Sequence, residues 1–65
     1  MILYFVLYKK KKENDYKMFS NVLFDDEKKA EYFGSKSMKR GYEHKVVEYN
    51  RENVTKYWYK HGEEN

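Results

Sequence analysis

The chain has 65 residues, no cysteine and no proline, with a formal net charge of +3 from 14 basic and 11 acidic side chains. That length implies a single small α+β domain spanning 1–65, able to bury only roughly 60% of the surface its unfolded chain exposes. The lack of cysteine excludes a disulfide framework and a thiolate metal site and points to the cytoplasm, while so mild a charge does not by itself imply a polyanionic partner. Stability must therefore come from apolar burial, and 20% of the residues are aromatic, each ring able to remove roughly 150–250 Å² from water. The positive charge is concentrated in the N-terminal third, where Lys9, Lys10, Lys11, Lys12 and Lys17 outnumber Glu13 and Asp15.

The chain opens on MILYFVLYKKKK. A secretion signal places its positive residues before the apolar run, and here they follow it with no small-residue cleavage site. A membrane-spanning helix needs about 20 apolar residues, and this run ends at Tyr8. A short apolar stretch rich in β-branched and aromatic residues reads instead as a strand buried on both faces, and we expect Ile2 to Lys9 to form the central strand of a sheet. The four lysines and Glu13, Asn14 and Asp15 then make a solvated turn, leading to a second strand from Tyr16 or Lys17 to Phe24 whose polar middle, Ser20 and Asn21, suits an edge.

The segment DDEKKAEYFGSKSMKRG predicts a helix over Asp26 to Arg40, with Asp25 or Asp26 as the N-cap and Gly41 as a left-handed stop. Ala30, Phe33, Gly34, Ser37 and Met38 share one face at spacings of three and four, and three of the five are small enough to let the helix axis approach a sheet. Tyr42 to Tyr49 reads as a third strand and NREN as a turn. The run VTKYWYK, rich in β-branched and aromatic residues, predicts a fourth strand, with a short C-terminal helix as the competing reading, and HGEEN should fray. The expected architecture is a four-stranded antiparallel sheet, ββαββ in order 2-1-3-4, with one helix packed on one face.

One helix covers one face, and the first strand is apolar on both. Assigning Leu3, Phe5 and Leu7 to the helix leaves Ile2, Tyr4, Val6 and Tyr8 open, because tyrosine hydroxyls favour places where they reach water. Tyr4, Tyr8, Tyr57, Trp58 and Tyr59 are then the candidate partner-binding residues, for another protein or for a second copy in a homodimer, with the edge of the second or fourth strand as the alternative surface. Lys9, Lys10, Lys11, Lys12 and Lys17 are candidate phosphate contacts if the rings stack nucleic-acid bases, although only two arginines are present and no RNA-binding motif is recognisable.

No catalytic, cofactor-binding or metal-ligating set emerges. His44 and His61 fit no ligand spacing, Asp25 and Asp26 are explained by helix capping, and no serine lies beside a base in sequence. The expectation is a non-enzymatic protein without cofactor, metal or membrane partner. In size, composition and the order of a hairpin, an acid-capped helix and a further strand, the chain is similar to small accessory proteins of tailed phages. That resemblance implies a phage or mobile-element protein that binds and modulates or inhibits a host protein. The alternative is a small basic nucleic-acid-binding protein.

Overall fold

The structure is a computed structural model that describes residues 1–59, with Tyr59 described by its backbone alone. The expected frayed tail at 61–65 lies outside the described residues. Three strands form one antiparallel sheet: β1, Tyr4–Lys10; β2, Lys17–Met18; and β3, Tyr42–Glu48, in the order β2-β1-β3. β1 is the central strand, with both edges paired, as its two-sided apolar character requires. Phe5, Val6 and Leu7 are the largest fully buried side chains, lying consecutively in β1 and so on alternate faces.

The second strand is shorter than expected. After Met18 the pairing lapses, with one bond from the Phe19 amide to the Val6 carbonyl and then an isolated bridge in which Tyr4 and Phe24 exchange two bonds of 2.8 Å. The polar Ser20 and Asn21 lie in the stretch between these contacts, where chain not held in a ladder keeps its amides solvated.

The helix α1, Glu27–Ser37, starts on Asp26, whose carboxylate accepts from the Lys28 amide at 2.8 Å. It ends at Met38, earlier than the sequence suggests. Gly41 still performs the left-handed function, with φ of +91° in the turn that enters β3. Gly34 is buried against the sheet, and a Cβ there would sit 2.5 Å from Cδ2 of His44. We therefore expect Gly34→Leu to lower the melting temperature far more than Lys36→Leu, a difference thermal unfolding would measure directly; equal effects would place Gly34 on the solvent side.

The fourth strand is corrected. Residues 51–59 are helical: α2, Arg51–Asn53, runs directly into a π-helical turn, π1, Val54–Tyr59. Asn50 caps this segment, its side chain accepting from the Asn53 amide at 2.8 Å, so the NREN sequence is a helix start. The helical backbone turns Tyr57 and Trp58 onto the Phe5 and Leu7 face of the sheet, which they cover. Tertiary packing outweighs the β propensity of the segment.

The face assignment is also corrected, because the two sides are interchanged and both are covered. Phe5, Leu7 and Met18 form a core cluster packed by Tyr16, Leu23, Val47, Tyr57 and Trp58, which puts the C-terminal helical segment on the aliphatic side. On the Tyr4, Val6 and Tyr8 side lies α1, marked by the close approach of Gly34 to His44, which pairs across from Tyr8. The small Ala30 and Gly34 let α1 sit close to the sheet there. Rings fill the periphery: Tyr8 against Phe19 at 5.5 Å, and Phe33 against both Phe19 and Phe24.

Candidate interaction surface

The residues singled out from the sequence fall on two opposite faces. Tyr4 and Tyr8 are half-buried on the α1 side, and the Tyr8 ring packs on Phe19 and on Tyr42 at 6.0 Å. Tyr57 and Trp58 lie across the sheet. Trp58 meets Phe5 and Tyr49 edge-on, both at 5.4 Å, an arrangement the ring quadrupoles favour. The Tyr59 side chain lies outside the described residues. These rings do not form one open surface, because the sheet separates the first pair from the second.

The lysines divide in the same way. Lys10, Lys11, Lys12 and Lys17 are exposed in the β1–β2 hairpin, where the Glu13 carboxylate accepts from the Lys10 amide at 3.0 Å. That backbone bond holds the Glu13 carboxyl below its ordinary range. Lys9 is different: it is half-buried, ion-paired to Glu43 and lies over the Tyr16 ring. The hydrogen bond from Lys9 lowers the Glu43 pKa, and burial raises that of the Tyr16 phenol, with the Glu43 charge adding to it. Lys45 continues the series over Tyr16 at 4.6 Å and Tyr57 at 5.9 Å, and Lys56 lies over Tyr57 at 5.3 Å. This ladder of cations on ring faces ties the hairpin, β3 and the C-terminal segment together across one face.

The feature the sequence reading missed is the outer edge of β3. The bond from the Tyr49 amide to the Leu3 carbonyl, and that from Lys11 to Gly41, fix the alternation of the ladder. The β3 amides and carbonyls at Glu43, Lys45 and Val47 turn toward β1, and those of Tyr42, His44, Val46 and Glu48 turn away from it. At the two ends these outward groups are partly used. The Tyr42 amide donates to the Lys39 carbonyl at 3.1 Å, and Asn53 Nδ2 donates to the Glu48 carbonyl at 2.8 Å. Between them, His44 and Val46 have no backbone hydrogen-bond partner among the described residues. The expected fourth strand would have occupied this edge, and its replacement by a helix under the sheet leaves the edge free. β2, at the opposite edge, has only two residues and offers no comparable template.

His44 has a side-chain bond of 2.9 Å to Glu31 of α1 and backs onto Gly34, so the strand is packed from the α1 side while its edge stays open. Val46 and Val47 are adjacent β-branched residues in an extended backbone already shaped to accept a neighbour. Among the described residues no acid and histidine cluster is placed to hold a metal ion, no buried side-chain nitrogen or oxygen lacks a partner, and no helix is long and apolar enough to cross a membrane. No protein-family model, curated protein or solved structure matches the chain.

Proposed function

We propose that the chain is a small, non-enzymatic, cytoplasmic protein-binding module whose working surface is the free edge of β3. The observation that carries this reading is the unpaired outward backbone of His44 and Val46 within a regular seven-residue strand. Strand addition at such an edge obtains affinity from main-chain hydrogen bonds and selectivity from the flanking side chains. The flanking side chains here are Lys45 and Val47 on one side of the sheet and His44 and Glu48 on the other. A module of this kind needs no reactive group, and it acts on a partner by occupying or extending one of its strands. That is consistent with the modulating or inhibitory role expected of a phage or mobile-element accessory protein.

Val46→Pro tests the reading, because it deletes one outward amide while every β3 amide facing β1 remains. We expect this variant to keep its circular dichroism spectrum and to lose the proteins that the wild type retains on an affinity column. Retention of every one of them by the folded variant would contradict the β3 edge as the site.

The ladder of Lys9, Lys45 and Lys56 on Tyr16 and Tyr57 favours a second reading, a nucleic-acid-binding protein, since cations interleaved with rings suit single strands. It ranks below the first because Lys9 already neutralises Glu43, the rings already carry the protein's own cations, and the Tyr8 ring is occupied by Phe19 and Tyr42. Phosphate binding would weaken steeply with rising salt.

A further inference from the structure

We infer that the strand received by the β3 edge belongs to a second copy of this chain, paired antiparallel with Val46 on the two-fold axis. The inference rests on the reading of β3 as the working edge and adds the partner and the register. Two copies related by a two-fold axis through this edge must set outward-facing residues opposite one another, since only those have amides and carbonyls to exchange. Three registers satisfy this while overlapping at least five of the seven β3 residues.

In the register that overlaps the whole strand, Lys45 lies directly opposite Lys45 of the second copy at a close, non-hydrogen-bonded position, and like charges there oppose pairing. A shift toward the N-terminus centres the axis on His44. It then asks the Tyr42 amide, already donating to Lys39, to bond Val46 of the other copy, and it sets His44 against His44. A shift toward the C-terminus centres the axis on Val46. Val46 then faces Val46, Lys45 faces Val47, and each His44 faces Glu48 of the other copy with unlike charge when the imidazole is protonated. The groups this arrangement needs, at His44 and Val46 and the Glu48 amide, are without backbone partners among the described residues. The Glu48 carbonyl, which accepts from Asn53, keeps a second lone pair for His44. Lys45 thus acts as a selector, excluding the full-overlap register and leaving the one in which His44 meets Glu48. The product is a six-stranded sheet in which both copies carry α1 on one face and the C-terminal helical segment on the other.

The absence of cysteine from the sequence makes the register directly readable. Directly opposed residues at a hydrogen-bonded pair have Cα atoms about 5.5 Å apart, inside the range a disulfide spans. We expect sedimentation equilibrium of the wild type to move from monomer to dimer mass with concentration, Val46→Cys to convert to a covalent dimer under mild oxidation, and Lys45→Cys at the same concentration to stay a thiol. Cross-linking of Lys45→Cys in place of Val46→Cys would overturn the register. A wild type that stays monomeric at every concentration, while Val46→Pro still releases other bound proteins, would overturn the second copy and leave the edge reading standing. A monomer whose bound proteins are indifferent to Val46→Pro would overturn both.

Discussion

Phe5→Ala should cost about 3–5 kcal/mol, the usual range for emptying a buried aromatic site, and so lower the melting temperature by about 15–30 °C. A domain of this length has a total stability on the order of 3–10 kcal/mol, so the variant stands at the edge of folding. The reason is local. Phe5 is fully buried in the central strand, and its ring is met edge-on by Trp58 at 5.4 Å and by Tyr49 at 6.2 Å. Its ring and that of Trp58 together join β1, the end of β3 and the C-terminal segment. Urea unfolding measures the loss, and Trp58, the only tryptophan, reports its location. Its emission should shift to longer wavelength in Phe5→Ala and stay in place in Val6→Ala, because Val6 is buried on the α1 side. An unchanged emission in Phe5→Ala would contradict the face assignment.

The second large effect belongs to Trp58→Ala, expected to cost about 2–3 kcal/mol, less than a fully buried ring because Trp58 is half-buried. Its consequence is more specific than its size. Trp58 closes the Phe5, Leu7 and Met18 cluster from the far side, so its truncation exposes the aliphatic face of the sheet without touching α1. The variant should bind a hydrophobic dye and exchange the amides of 51–59 faster, while those of Glu27–Ser37 keep their protection; changes of equal size in both helical segments would contradict separate covers on the two faces. Removing a ring at the surface, as in Tyr32→Ala, should by contrast change stability by no more than about 0.5 kcal/mol.

The parts of this fold that could be read from the sequence are those fixed by short-range chemistry. Leu3 to Tyr8 is apolar on both sides, which suits only a central strand. Asp26 caps α1 because its carboxylate reaches the Lys28 amide within one turn, and Gly41 adopts the positive φ for which glycine alone carries no penalty. The β2-β1-β3 order follows from the hairpin and the crossover through α1. The parts that were not readable depend on which surface a segment meets. VTKYWYK has the composition of a strand, and only the exposed Phe5 and Leu7 face makes its helical spacing the better choice. The signal was present in Asn50 and Asn53, which read equally well as a turn and as a cap with its third residue. From that single exchange of strand for helix came the other differences: the aliphatic face received the C-terminal cover, α1 took the tyrosine face, and the edge of β3 was left open.

The candidate site was legible to a corresponding degree. The prominent rings mark where the chain covers itself, Tyr4 and Tyr8 beneath α1 and Tyr57 and Trp58 over the core. The groups left unpaired are backbone atoms, and no side-chain pattern announces them. Whether His44 and Val46 face solvent is decided by what the following segment does.

Residue-resolved amide hydrogen exchange along β3, at low and at high protein concentration, tests the central claim most directly. The account predicts alternation in dilute solution, with Lys45 and Val47 protected by β1 and with His44 and Val46 exchanging freely, and then protection of His44, Val46 and Glu48 as the strand pairs at high concentration. Uniform protection of His44 and Val46 in the dilute monomer would contradict the open edge, and free exchange that persists at every concentration would contradict its pairing with a second copy.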